Sequence, residues 1–167
     1  MPVIKAVEIW YPKLDPERPN ARYNKKNPTW ELQLRTIDKV VKKMWEDELN
    51  LNVKAIIPDE GASYFRVNLK KRTIKADGTN AAPVDVVNGA KEQVDPKSIG
   101  NGSIANVRIY QYEYPKEDGT KGIASILMGV QLIKHIVYVP KPFDDDFEEE
   151  ETEVITPAAS EADEDDF

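Results

Sequence analysis

Residues 29–49 read TWELQLRTIDKVVKKMWEDEL, and the repeat changes part-way through. Over Thr29–Thr36, Trp30, Leu32 and Leu34 alternate with Glu31, Gln33 and Arg35, the period of a strand buried on one face. From Ile37 the period becomes helical. Ile37, Val40, Val41, Met44 and Trp45 recur as far as about Leu49, with Lys39, Lys42, Lys43, Glu46 and Asp47 between them. Asp38 stands where a carboxylate suits the helix dipole. This is the one amphipathic helix in the reading.

Outward from that segment the chain reads as strands and turns. Val3–Tyr11 is rich in β-branched and aromatic residues, with Val3, Val7, Ile9 and Tyr11 on one face and Ile4, Ala6 and Trp10 on the other. Between it and Thr29 lies a long loop with Pro12, Pro16, Pro19 and Pro28 and the cations Arg22, Lys25 and Lys26. Loops of that length are often functional. After the helix come short strands at Val53–Ile57 and Tyr64–Ile74, then a looser segment from Thr79 to Gly100. Ser103–Tyr114 and Ile123–Val139 follow, joined through Asp118-Gly119 as a hairpin and bent near Gly129. The pattern predicts a mainly β fold: an OB-fold-like, five- to six-stranded barrel with one amphipathic helix over residues 1–142. A disordered acidic C-terminal tail is expected over 143–167.

Charge divides at the same place. The chain carries a formal net charge of −7, yet residues 143–167 hold 13 of its 30 carboxylates and none of its 23 Lys and Arg. The body therefore has 23 cations against 17 carboxylates, about +6. A basic domain of this size favours a polyanionic partner.

Two strands give that charge a location. On Tyr64–Arg72, Phe65, Val67 and Leu69 point inward, while Tyr64, Arg66, Asn68, Lys70 and Arg72 point outward with Lys71 and Lys75 beside them. On Ile104–Tyr114, Ala105, Val107 and Ile109 read as core, and Arg108, Tyr110, Tyr112 and Tyr114 as the other face. Cations neutralise phosphates and release counterions. Aromatic rings stack on any base, and the planar head of Arg serves both ends. The candidate site for single-stranded DNA is thus Arg22, Lys25, Lys26, Arg35, Tyr64, Arg66, Lys70, Lys71, Arg72, Lys75, Arg108, Tyr110, Tyr112 and Tyr114. The alternatives stay open. The tyrosines would equally cover a second apolar layer or a homodimer contact, and lysines also blunt edge strands against aggregation. Trp30 and Trp45 read as packing residues.

Catalytic readings lack parts. There is no Cys and a single His, His135, read as a structural group in an apolar strand. Nucleophile systems and transition-metal sites need more than that. Gly100-Asn101-Gly102-Ser103 lacks the Lys-Ser/Thr of a phosphate loop and leads into a strand. No catalytic residue, cofactor or metal is assigned. No signal-peptide pattern or membrane-length apolar run stands in the sequence, which predicts a cytoplasmic protein.

The ending Asp163-Glu164-Asp165-Asp166-Phe167 resembles that of replicative single-stranded DNA-binding proteins of bacteria and bacteriophages. Asn27-Pro28-Thr29-Trp30-Glu31, the Tyr64-Phe65-Arg66 strand and the Gly100–Ser103 turn are most similar to the phage type. Asp166 stands where the bacterial proteins have Pro, which also favours the phage type. The resemblance implies an OB-fold that coats exposed strands, in the cytoplasm of the bacterial host. It also implies that the tip, Asp163 to Phe167, contacts replication partners such as a DNA polymerase or helicase-primase. A protein-interaction or chaperone-like β-barrel module, with a tail that holds basic clients, is the alternative.

Overall fold

The structure is a computed structural model that describes residues 1–138 and 152. The acidic tail, its tip from Asp163 to Phe167 and the expected strand end at Val139 lie outside the described residues. Among the described residues, seven strands form one sheet: β1 (Val3–Lys13), β2 (Thr29–Thr36), β3 (Lys54–Ile56), β4 (Tyr64–Arg72), β5 (Asp85–Asn88), β6 (Ser103–Pro115) and β7 (Lys121–Lys134). The one α-helix among the described residues, α1 (Lys39–Asp47), connects β2 to β3. Strand order is β3-β4-β2-β1-β6-β7-β5, and a parallel β4–β7 pairing at Lys70 and Ile126 closes β1, β2, β4, β7 and β6 into a barrel. Closure removes the sheet edges within that ring. β3 and β5 are additions at its rim.

The alternation read from Thr29–Thr36 holds. Trp30, Leu32 and Leu34 are buried, and β4 pairs with them in continuous antiparallel register from Thr29–Arg72 to Thr36–Phe65. Val67, Leu69, Ala105, Val107, Ile109, Leu127, Val130 and Leu132 belong to the same core. Each buried aliphatic side chain contributes about 1.5–3 kcal/mol relative to exposure. Trp45 from α1 is also buried, so both tryptophans read as packing are packing.

Four expectations are corrected. First, β1 does not keep one alternation. Ile4 pairs with Val107 but Val7 with Ala105, so one extra residue sits on β1 beside Ala6, whose φ is +48°. The faces flip there, which buries Ile4 and leaves Val3 exposed. A second bulge separates the Trp10–Gln33 pair from Lys13–Glu31, with Tyr11 at φ +51°. Tyr11 therefore leaves the core face and is exposed.

Second, α1 is shorter than its apolar stripe. Asp38 is its N-cap, with a side chain that accepts from the Val40 amide at 2.8 Å, so Ile37 lies outside the helix. Ile37 and Val40 are exposed; Trp45 is buried and Val41 packs against the core. Third, the segment after Thr79 is not featureless. It contains β5, parallel to β7, and a short 3-10 turn at Pro96–Ser98. Fourth, His135 lies beyond β7, exposed, with Nε2 within 3.2 Å of the Ser98 hydroxyl and 3.0 Å of its carbonyl oxygen. The expected bend near Gly129 is real: Arg108 pairs with Gly129 but Ile109 with Leu127, so β7 carries an extra residue at Met128.

Candidate nucleic-acid interface

The outward positions of β1, β2 and β4 form one surface. Lateral pairing sets its rows: Glu8, Arg35 and Arg66 in one, Trp10, Gln33 and Asn68 in the next, then Lys13, Glu31 and Lys70. Tyr64 and Arg72 stand at the two ends of β4, about 26 Å apart at strand rise.

Arg35 organises the Tyr64 end. Its guanidinium carbon lies 4.0 Å from the Trp10 ring centroid, 4.2 Å from that of Tyr64 and 5.3 Å from that of Tyr11. These are cation–π distances. Arg35 Nε donates to Gln33 Oε1 at 2.7 Å, and Gln33 Nε2 donates to Asn68 Oδ1 at 3.1 Å. Trp10 Nε1 donates to Glu8. The polar row beneath thus fixes where the cation sits between the rings.

Toward the other end, Arg66, Lys70 and Arg72 follow on the same face. Glu31, the carboxylate opposite Lys70, accepts from Asn20 Nδ2 at 2.8 Å and from Thr29 Oγ1 at 2.9 Å. The cationic loop meets β4 here. Asn27 holds its base: the side chain accepts from the Ile74 amide at 3.0 Å and donates to the Ile74 carbonyl at 3.1 Å. Thr73 donates twice more to the Pro28 carbonyl, from its amide and its hydroxyl. Arg22, Lys25 and Lys26 are exposed at the tip of the anchored loop. Tyr23, 84 % exposed, lies beside them with Arg22 5.6 Å from its ring.

Lys71 does not share the outward face. It has the parity of Val67 and Leu69 and sits half-buried at the barrel rim, opposite Trp30. Burial pushes its ammonium below the usual 10.5, and the positive charges of Lys75 and Arg108 push the same way. Lys75 and Arg108 thus crowd Lys71 with positive charge at the rim. Arg108 is partly neutralised: its guanidinium lies over Gly129, 3.8 Å from the Asp85 carboxylate.

The tyrosines form a second platform. Tyr110 pairs with Ile126, which pairs in turn with Lys70, so Tyr110 stands two strand spacings, roughly 10 Å, from the basic row. Tyr110 and Tyr112 stack at 6.1 Å and 29°. The Tyr114 ring covers Gly122, where a Cβ would collide with it. All three are close to half exposed, so among the described residues they cover no second core layer. Trp10, Tyr11, Gln33 and Tyr23 join the candidate surface beyond the residues read from the sequence. For Trp10 the signal was present, since it alternates against buried Ile9.

No protein-family model matches the sequence, and no curated protein matches it. Solved structures do. The single-stranded DNA-binding protein from bacteriophage Enc34, in complex with ssDNA, superposes with a TM-score of 0.56 at 18% identity, over 84% of this chain and 88% of that one. The crystal structure of gp2.5, a single-stranded DNA-binding protein encoded by bacteriophage T7, gives a TM-score of 0.51 at 14% identity, over 90% of this chain and 99% of that one. The chain has the fold of these phage single-stranded DNA-binding proteins. Both superpositions cover most of each chain.

Proposed function

We propose that this protein binds single-stranded DNA with little sequence preference and coats it during DNA replication, recombination or repair. In OB-type barrels, oligonucleotides lie across the second and third barrel strands and the loops joining strands one to two and four to five. Here those elements are β2, β4, the loop carrying Arg22, Lys25 and Lys26, and the β6–β7 hairpin. The observation that carries the reading is the β1–β2–β4 face: a guanidinium between aromatic rings, continued by Arg66, Lys70 and Arg72. Its carboxylates, Glu8 and Glu31, are engaged with neighbouring side chains. Phosphates follow the basic row, and bases stack on Trp10, Tyr11 and Tyr64 to one side and on Tyr110 and Tyr112 to the other.

The acidic segment 143–167 completes the proposal as a polyanion mimic. It spans at most about 80–90 Å when extended, enough to reach its own groove or that of a second copy. DNA displaces it, and Asp163–Phe167 then dock on a replication protein with a basic patch and an apolar pocket. A protein with this task works in the cytoplasm of the infected host. Titration of Tyr and Trp emission with oligo-dT, against a duplex of equal length, tests the reading. The exposed tyrosine stripe favours a second one, a protein-interaction module with paired subunits. Emission unmoved by oligo-dT would favour that second function.

A further inference from the structure

The Gly100-Asn101-Gly102-Ser103 turn lies outside the basic row, yet it holds the backbone that aims the aromatic platform. Regular pairing of β1 with β2 would return Tyr11 to the core face, with Ile9. The bulge prevents this by inserting one residue, and such insertions re-aim side chains next to binding sites. It has two costs. Tyr11 takes a left-handed φ of +51°, unfavourable for a residue with a side chain. Its amide also loses a ladder partner.

Asn101 supplies the missing partner: its Oδ1 accepts from the Tyr11 amide at 2.7 Å. The turn that presents Asn101 is itself fixed. The Gly102 amide donates to the Ile9 carbonyl at 2.9 Å, and Gly102 adopts a φ of +88° that favours glycine. The Gly100 amide donates to the Ile136 carbonyl, and a Cβ on Gly100 would lie 2.8 Å from that oxygen. Buried Ser103 donates from Oγ to the Gly100 carbonyl at 2.7 Å and accepts from the Ile136 amide at 3.0 Å. With the bulge held, Trp10 and Tyr11 meet edge to face at 5.8 Å and 67°, both against Arg35.

We infer that Asn101 is a positioning residue for the Trp10–Tyr11 stacking platform, an inference that rests on the nucleic-acid reading above. The molecule contains its own control. The other β1 bulge is held the same way, by Asn106 Oδ1 accepting from the Ala6 amide at 2.9 Å, but Ala6 presents no ring to the groove.

The experiment compares oligo-dT affinity, its salt dependence and thermal stability for the full chain. The variants are Asn101→Ala, Asn106→Ala, Trp10→Ala/Tyr11→Ala, and the triple variant that adds Asn101→Ala to the last. Asn101→Ala should weaken binding about tenfold, the value of one stacked base, with an unchanged salt slope because no phosphate contact is lost. It should add nothing in the Trp10→Ala/Tyr11→Ala background. Asn106→Ala should keep the wild-type affinity even where its melting temperature falls. Asn101→Asp retains an acceptor oxygen and should recover most of the loss at about 0.3 M salt, where its added charge is screened. Wild-type affinity in Asn101→Ala, an equal loss in Asn106→Ala, or an additive loss in the triple variant would overturn the inference alone. Wild-type affinity in Trp10→Ala/Tyr11→Ala would remove the platform from the binding reading, and the inference with it.

Discussion

The guanidinium of Arg35 lies 4.0 Å from the centroid of the Trp10 ring, and Gln33 Oε1 holds it there through Nε. A cation fixed over an aromatic face offers a base a ring to stack on and a phosphate a charge to meet, in one place. Trp10→Ala should cost about 1–3 kcal/mol of oligo-dT binding with the salt slope intact. Arg35→Lys keeps the charge but loses the planar head; it should lose affinity in the same way. A fluorescence titration at two salt concentrations separates the effects, and a Trp10→Ala variant that binds like the wild type would exclude this ring from the path.

The basic row and the tyrosine platform should fail differently. Arg66→Ala or Lys70→Ala should weaken binding alike on every sequence and make the log–log salt slope shallower by about one unit. Tyr110→Ala or Tyr112→Ala should lose roughly one base's stacking and leave the slope alone. Isothermal titration across a salt series reads both quantities. Tyrosine variants with full affinity would assign the stripe to a contact between subunits.

Lys71 should give the proposed interface a pH dependence. Its pKa is lowered in the free protein by burial, then by Lys75 and Arg108. A bound phosphate favours the charged ammonium and raises the pKa again. Binding should therefore take up protons in the window between the two values, below and around 10.5, and affinity should fall as pH rises through it. Lys71→Arg, charged throughout, should flatten that alkaline fall. Lys71→Met should relieve the repulsion and raise the melting temperature while shallowing the salt slope by up to about one unit. Calorimetry in buffers of different ionisation enthalpy measures the uptake; none at any alkaline pH would place Lys71 outside the phosphate path.

Removing residues 143–167 takes away 13 carboxylates and no cation. If that segment competes for the groove, its deletion should tighten oligo-dT binding several-fold at low salt, with the gain shrinking as salt screens the charges. Equal or weaker binding of the shortened chain at low salt would dismiss the competitor role.

Much of this was legible in the sequence, and the gaps have physical causes. Thr29–Thr36 and Tyr64–Arg72 alternate without interruption, and their pairing register follows the alternation residue for residue. β1 does not, because bulges at Ala6 and Tyr11 flip its faces and neither position carries the glycine that would announce a positive φ. The partners that make those bulges tolerable, Asn106 and Asn101, lie 100 and 90 residues away, beyond any local pattern. Lys71 follows Lys70 in a basic run, so charge alone groups them; parity separates them. Arg108 reads as a free cation until β5, too short to stand out, brings Asp85 against it. The tyrosine stripe was visible, but its place beside Lys70 depends on the parallel β4–β7 closure.

The β1–β2–β4 face should bind a single strand by phosphate neutralisation and base stacking together. Titration of the full chain with oligo-dT and with an equal-length duplex, across a series of salt concentrations, tests it most directly. The expected result is quenching of Tyr and Trp emission by oligo-dT, weaker binding to the duplex, and a log–log salt slope of several units, roughly 0.7 for each phosphate neutralised. Unchanged emission, or equal affinity for duplex and single strand at every salt concentration, would contradict it.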